Sequence, residues 1–210
     1  MFNEKISLPD FNRVTLKGLG NVYLSVGNEQ SFKIESNQDL SKKIRTEVFN
    51  NELIISFYDV LPVWLVTMPK LDFHITMKEF IGCRMTGVGK IMSKGPLECG
   101  KAEIVNTGVG GIHLQLKADH VKGLLTGVGE ITLMGETDKL DVELAGTGKV
   151  DAYNLVAKDA TVSSRGIGEC TVHVIDTLKV HSSGIGNIKY KGNPRLESTQ
   201  GGLGGIKNIM

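Results

Sequence analysis

A short motif recurs along this chain and constrains its fold more than any other feature. The motif is glycine, any residue, glycine, and then, two positions later, isoleucine, valine or cysteine. Its eight copies begin at Gly18, Gly87, Gly108, Gly127, Gly146, Gly166, Gly184 and Gly202. From Gly87 onward, successive first glycines are separated by 21, 19, 19, 20, 18 and 18 residues. A repeat of this length is typical of a solenoid, in which each copy adds one coil to the last.

The residues around each motif alternate between apolar and polar. Apolar side chains stand four and six positions before the first glycine and four and six positions after it, as Leu140, Val142, Val150 and Ala152 do around Gly146. Alternation of this kind is typical of β-strands with one face turned inward, and in-register strands of successive coils lie about 4.8 Å apart. The sequence therefore predicts an all-β fold, a right-handed parallel β-helix with coils of 18 to 21 residues.

The part of the chain before Gly87 has no regular period. It holds one further motif, at Gly18, and several stretches of strand-like alternation. The open end of a β-helix needs a cover, because its unpaired strand edge promotes aggregation. We expect residues 1–70 to form an irregular N-terminal β cap that is continuous with a β-helix over residues 71–210. The alternative is a single domain over residues 1–210.

The paired glycines are predicted to form the corners of the coil. A tight corner needs a positive φ or a close approach of two backbones, and glycine alone meets either requirement at low cost. The predicted structural corner glycines are Gly87, Gly89, Gly108, Gly110, Gly127, Gly129, Gly146, Gly148, Gly166, Gly168, Gly184 and Gly186. The residue between each pair is nearly always aliphatic, and we expect it to point inward and fill the corner. These residues are Val88, Val109, Val128, Thr147, Ile167, Ile185 and Leu203.

One outward column of residues carries alternating charge. The residues three positions after the first glycine are Lys90, Gly111, Glu130, Lys149, Glu169, Asn187 and Gly205. This pattern predicts charge pairing between successive coils, worth about 0.2–1 kcal/mol per pair. We take the polar and charged members as a candidate surface contact column, comprising Lys90, Glu130, Lys149, Glu169 and Asn187.

Composition excludes several classes of partner. The net charge is +1, from 24 basic and 23 acidic residues, which gives no electrostatic reason to expect nucleic acid or an anionic membrane surface as a partner. The longest nearly uncharged stretch, residues 57–68, contains Asp59 and Pro62, so no integral membrane segment is predicted. The N-terminal residues 1–5 show no export signal.

Motifs for catalysis or metal binding are not found. Cys83, Cys99 and Cys170 are odd in number and form no C-x-x-C pair, which argues against a disulfide framework and a thiolate zinc site. No copy completes a phosphate-binding glycine loop that opens a helix. The residues Glu143, Ser163 and His181 each lie three positions before a first glycine, and we expect them to stack as a solvated polar column. The sequence predicts no catalytic residue, no metal site and no cofactor.

The chain resembles a known protein family. Three features are similar to the putative auto-transporter adhesin head domain, or GIN domain, of Bacteroidota-type proteins. They are the repeated motif, the run over residues 66–73 that leads into residues 85–89, and the strand-like openings at residues 11–16 and 22–27. The similarity extends over essentially the whole chain. It implies a β-helix that is usually exported and has no established catalytic residues to transfer.

The resemblance favours a non-enzymatic β-helix module of the cell surface or periplasm, which acts as an adhesin for glycan or extracellular protein. Two alternatives remain open. One is a β-helical polysaccharide lyase or hydrolase, and the other is a cytoplasmic self-assembling scaffold of the bactofilin kind, which the missing signal would suit. We also expect a homo-oligomer, formed through the apolar run Val60–Met68 or through the terminal coil over residues 201–209.

Overall fold

The structure, a computed structural model, describes residues 2–37, 43–58 and 70–210, and all the regular secondary structure in these ranges is β-strand. Its strands are β1 Phe2–Ile6, β2 Arg13–Leu16, β3 Leu19–Val26, β4 Ser31–Ser36, β5 Ile44–Phe49, β6 Glu52–Phe57, β7 Leu71–Met77, β8 Gly82–Met85, β9 Val88–Asn106, β10 Val109–Leu125, β11 Val128–Leu144, β12 Thr147–Ser164, β13 Ile167–Ser182, β14 Ile185–Lys191, β15 Arg195–Gln200 and β16 Ile206–Asn208. The predicted fold is confirmed, because the chain forms a β-solenoid of about seven turns.

The central coils stack in register through each motif, with local register shifts further along the strands. Each of β9 to β13 follows most of one coil, and β10 pairs in parallel with β9 below it and β11 above it. Motif therefore lies on motif: Gly110 pairs with Gly129, and Ile112 pairs with Ile131. Ile112 and Ile131 are fully buried, as the column prediction requires. The columns are less buried at both ends of the repeat. The partly or fully exposed members are Ile81, Ser93, Tyr190, Leu196, Ser198, Ile206 and Asn208.

A further buried column lies two positions before each first glycine, and the sequence analysis did not include it. Its buried members are Leu16, Met85, Asn106, Leu125, Leu144, Ser164 and Ser182. Asn106 is the one amide among them. Its Nδ2 donates to the Gly110 carbonyl oxygen and its Oδ1 accepts from the Gly108 amide, both at 3.1 Å. Because its hydrogen bonds are satisfied within the corner, this buried polar side chain is accommodated in the core.

The corners differ from the prediction in the direction of their middle residue. Strand alternation continues without interruption through the motif, so the two glycines occupy inward positions and the residue between them points outward. Inside the corner, a Cβ on Gly129 would overlap the carbonyl oxygen of Gly110 in the coil below. Val128 is accordingly 55 % exposed. The prediction of inward side chains is wrong for all seven residues, which are Val88, Val109, Val128, Thr147, Ile167, Ile185 and Leu203.

The N-terminal cap is interleaved with the solenoid. Strands β2 and β3 form a first coil directly below β8 and β9, and Gly20 pairs with Gly89 across 69 residues of sequence. On the opposite edge of the first coil, β2 pairs with β6 and β3 pairs with β7 in parallel, and the antiparallel pairs β5 with β6, β4 with β7 and β1 with β4 complete the cap. A single hydrophobic cluster extends from Phe11 in the first coil to Ile188 near the last. Cap and coils therefore share one core.

The apolar run Val60–Met68, a predicted oligomer contact, lies outside the described residues. Over residues 2–37, 43–58 and 70–210, no helix has the length and apolar character needed to cross a bilayer.

Candidate functional site

The five residues of the contact column lie together on the outer surface of one sheet. Strand pairing joins them from coil to coil, with Gly111 between the first two members. Because neighbouring coils are about 4.8 Å apart, the column holds its side chains at a fixed spacing on a rigid support. The column thus presents lysine, glutamate and asparagine side chains in a straight line.

The ion pairs of this column differ from the predicted ones. The charged side chains make their closest contacts with a neighbouring column, which lies two residues further along each strand. Lys149 pairs with Asp151 (2.7 Å) and Glu169 pairs with Lys189 (2.5 Å), while Glu130 Oε1 lies 3.1 Å from His113 Nε2, which forms no hydrogen bond. All are partly exposed, and pairs of this kind contribute about 0–1 kcal/mol each.

Lys149 shows how the surrounding carboxylates act on the column. The ammonium group of Lys149 donates a hydrogen bond to the carboxylate of Asp151, which raises the pKa of Lys149 above its ordinary value. The carboxylates of Glu169 and Glu130 raise this pKa by smaller amounts. The lysine therefore stays charged at neutral pH. Lys90, the first residue of the column, is exposed and has a formal positive charge that is available to a partner.

The polar column Glu143, Ser163 and His181 stacks as the spacing predicts, because strand pairing places Ser163 between the other two. That order does not suit a nucleophilic triad, in which histidine lies between the acid and the serine. The carboxylate of Glu143 is instead engaged by the guanidinium of Arg165. This column is an ion-paired surface without an activated nucleophile.

The middle residues of the corners form a second outward feature, which we call the corner ridge. Strand pairing and one isolated bridge connect eight residues in sequence along it, and we number them as rungs one to eight. The rungs are Leu19, which is partly buried and packs against the hydrophobic core, and the exposed residues Val88, Val109, Val128, Thr147, Ile167, Ile185 and Leu203. The six aliphatic rungs beyond Leu19 are 43 to 73 % exposed. An exposed apolar line of this kind is a candidate interaction surface.

Sequence reasoning missed the ridge although its signal was present. The middle residue of each motif is an odd number of positions from the buried columns on both sides, so strict alternation places it outside. The assumption that the corner redirects the chain and needs filling led to the opposite assignment. The glycine backbones themselves occupy the space that the aliphatic residue was expected to fill.

A groove of about 570 Å³ runs across another face of the solenoid. Its charges are paired between coils, Lys117 with Glu136 at 3.2 Å and Lys158 with Asp138 at 2.6 Å. Cys99 lines the groove, and partial burial raises the pKa of its thiol to about 11, so it is a weak nucleophile at neutral pH. Among the described residues, no group of three or more His, Cys, Asp or Glu side chains is placed to hold a metal ion.

Fold and surface together define a class of protein, the capped parallel β-solenoids with regular outward columns. Within that class, the family model described as "Putative auto-transporter adhesin, head GIN domain" matches residues 10–194. The chain therefore belongs to this family, as its repeated motif indicated.

Solved structures show the same architecture. A crystal structure described as "a putative adhesin" from Bacteroides fragilis is 26 % identical, with a TM-score of 0.93 over 99 % of this chain and 96 % of that one. A "putative adhesin" from Parabacteroides distasonis is 20 % identical, with a TM-score of 0.73 over the same shares. A "putative lipid binding protein" from Parabacteroides distasonis is 18 % identical, with a TM-score of 0.69 over 100 % of this chain and 96 % of that one. Among curated proteins, no sequence matches this chain.

Proposed function

We propose that this protein is a non-enzymatic binding module of the adhesin type, which works at the cell surface or in the periplasm and contacts an extracellular protein. The observation that carries the proposal is the contact column, a line of charged and amide side chains on a rigid sheet. Family membership and the adhesin description of the similar Bacteroides fragilis structure support the same class of function.

A rigid, charged face favours recognition of another protein. Side chains that are already held by ion pairs lose less freedom on binding than mobile ones, which lowers the cost of association. Alternating charges also give a pattern that a complementary protein surface can match, which increases specificity and the association rate. The column is therefore suited to a folded partner with the opposite order of charges.

The aromatic side chains favour protein over glycan as the partner. Tyr153 would be a natural stacking platform, but Lys191 Nζ lies over its ring at 5.0 Å from the centroid. Tyr23 likewise stacks on His74, with ring centroids 5.0 Å apart. Both rings thus already have neighbours within this chain. Among the described residues, the strongly exposed aromatic side chains are Phe49 and Tyr58, which belong to the N-terminal cap and not to the contact column.

A binding array of extracellular-matrix proteins and glycans tests the proposal, with Lys149→Glu as the test variant and Lys158→Glu as its matched control. Each substitution reverses one lysine that is paired with an aspartate, but Lys149 is partly exposed in the contact column, whereas Lys158 is exposed on the groove face. We expect a protein ligand whose affinity falls about tenfold in the first variant and is unchanged in the second.

Two results would overturn the proposal. One is an equal loss of affinity in both variants, which would place the contact elsewhere. The other is turnover of a polysaccharide by the purified chain in a parallel degradation assay, which would favour the lyase or hydrolase alternative.

A further inference from the structure

The corner ridge is an apolar surface that the proposed function does not use. It lies at the edge where two outer faces meet, and six of its eight rungs are valine, isoleucine or leucine side chains that are at least 43 % exposed. Seven steps of about 4.8 Å make it about 34 Å long. Contact between these apolar side chains and water is unfavourable, so a partner that buries them lowers the free energy of the complex.

A partner for the ridge needs the same repeat distance. Successive rungs protrude at the spacing of β-strands, and a second array of side chains packs between them along the full length only if its period is equal. A second copy of this chain meets that requirement. We propose that the corner ridge is the contact of a homodimer in which two copies lie side by side and antiparallel, with a twofold axis between rungs four and five.

The sizes of the rungs favour the antiparallel arrangement. The first half of the ridge has three valines, and the second half has two isoleucines and a leucine after Thr147. Antiparallel pairing places a smaller valine opposite a larger isoleucine in the second and third of the four distinct pairs, whereas parallel pairing would join valine to valine and isoleucine to isoleucine. The antiparallel pairs are Leu19 with Leu203, Val88 with Ile185, Val109 with Ile167 and Val128 with Thr147.

The charges beside the ridge agree with the same register. In this arrangement the contact columns of the two copies face each other, and Glu130 of each copy meets Lys149 of the other on both sides of the twofold axis. Lys90 then lies opposite Asn187, and Glu169 opposite Gly111. The column on the other flank, one position before each first glycine, has two cations, Lys17 and Arg165, which meet Gly201 and Thr107. No pair of like charges is created on either flank.

The dimer would have two structural consequences. Both contact columns lie on the same side of the assembly and border one polar surface of double width, in which Glu130 and Lys149 are engaged across the seam and Lys90, Glu169 and Asn187 remain for a partner. The interface consists of the ridge and the columns on its two sides. Because this contact is narrow, we expect it to bury less area than a standard interface, which buries about 800 Å² per partner. We therefore expect a weak dimer with a dissociation constant in the micromolar range.

Sedimentation of the purified chain without any ligand tests the dimer. The chain is compared at low micromolar and at millimolar concentration with the variants Ile185→Lys and Ile175→Lys. These two isoleucines are matched, because they are 52 and 51 % exposed, but Ile175 lines the groove on another face. We expect the mass to double with concentration in the parent chain and in Ile175→Lys, and the dissociation constant to rise at least about tenfold in Ile185→Lys.

Disulfide trapping determines the orientation. The variants Val88→Cys and Ile185→Cys are prepared separately in a Cys99→Ser background, because Cys83 and Cys170 are buried, and are then mixed and oxidised. The antiparallel dimer predicts a bond between the two different variants. A parallel dimer would instead link two copies of Val88→Cys to each other, which would overturn the proposed arrangement. The two outcomes are distinct because Val88 and Ile185 are five steps, about 24 Å, apart within a copy.

Charge reversal provides an independent check of the register. Glu130→Lys would place two lysines together at the twofold axis and weaken the dimer, and the double variant Glu130→Lys with Lys149→Glu would restore it. Failure of the double variant to restore the dimer would overturn the proposed register. None of these measurements needs a ligand, so the dimer and the proposed binding function can fail separately.

A lipid surface is the competing occupant of the ridge. Vesicles of phosphatidylcholine with and without phosphatidylglycerol are sedimented with the parent chain, Ile185→Lys and Ile175→Lys. Vesicle binding that only Ile185→Lys abolishes, by a chain that is monomeric at every concentration, would overturn the dimer. A monomer that binds no vesicles would overturn it as well.

Discussion

The second glycine of each corner has a φ between +129° and +148°, a range that side-chain-bearing residues rarely adopt. At the same position, a Cβ would overlap the backbone of the glycine one coil below, as Gly148 would overlap Gly129. Conformation and space therefore impose the same residue type independently. This is why the motif retains its glycines while the residue between them varies among valine, threonine, isoleucine and leucine.

Gly148→Ala should destabilise the fold strongly. The new methyl group meets a backbone carbonyl that cannot move without displacing the next coil, and the positive φ adds about 1–3 kcal/mol of strain. We expect a loss of more than about 3 kcal/mol in the free energy of unfolding, measured by urea denaturation. Gly95→Ala is the control, because its Cβ would have no heavy atom within 4 Å. Similar losses in both variants would refute the role of the stacked corner.

The three thiols should be nearly inert in the folded protein. Burial raises the pKa of Cys83 and of Cys170 to about 12, and the pKa of Cys99 to about 11. Because the thiolate is the reactive form, we expect slow alkylation by iodoacetamide at pH 8 in buffer and fast alkylation of all three residues in urea. Mass spectrometry measures the labelling of each site. Fast labelling of Cys170 in the folded state would contradict its burial.

The sign of the thiol effect on stability follows from the same pKa values. A thiol whose pKa is higher in the folded than in the unfolded state stabilises the fold fully below the unfolded pKa of about 8.5. That contribution is lost as the pH rises from there through about 11 to about 12. The midpoint of urea denaturation should therefore fall with rising pH in this window.

At the scale of the elements, the cap depends on an aromatic pair that joins two antiparallel strands. Phe32 of β4 stacks on Phe73 of β7, with ring centroids 6.1 Å apart, and both rings are buried. Phe32→Ala should cost about 3–5 kcal/mol because it leaves a cavity between the cap and the first coil. Thermal denaturation measures the loss. Phe49→Ala is the control, since Phe49 is 61 % exposed, and an equal effect there would argue against the cavity.

The repeat was predictable from the sequence because it depends on a physical regularity. Stacked coils require the same residue type at the same position in each turn, so columns such as Ile112 over Ile131 appear directly as a period. The cap has no such period. Its strands β4 and β7 pair antiparallel, and nothing in local composition specifies that the chain leaves after β3 and returns at β8 to continue the solenoid.

The outer surface was predictable in position but not in contacts. The column from Lys90 to Asn187 follows from alternation, which determines the face of each residue. The partner of Glu130, which is His113 in the next column, depends on the directions of long side chains and cannot be deduced from spacing. Val128 was placed on the wrong side because the inside of a corner was assumed to need a side chain.

At the scale of the whole molecule, the chain is an array in which each central coil makes nearly all its contacts with its two neighbours. The largest sets of contacts between strands join β9, β10, β11, β12 and β13 in sequential order. The stability of such an array is approximately a sum over coils and their interfaces. A coil in the middle of the array can therefore be removed, provided that the coils on both sides still match.

Deletion of residues 128–146, one complete coil, tests this property. The deletion joins Gly127 to Thr147 and brings Val109 below Thr147, which preserves the register because both residues pair with Val128 in the intact chain. We expect a shortened solenoid with the β-sheet circular dichroism spectrum of the parent chain and a single melting transition at a lower temperature, since one interface is lost. The buried columns remain aligned, with Ile112 next to Val150.

Deletion of residues 128–137 is the control, because it removes only part of a coil. The remaining residues of β11 cannot pair along their whole length with β10 below or with β12 above, so buried backbone groups lose their hydrogen bonds. We expect this shorter deletion to be much more damaging than the longer one, with loss of the melting transition or of solubility. If the two deletions were equally tolerated, the corners and not the stacked columns would determine the architecture.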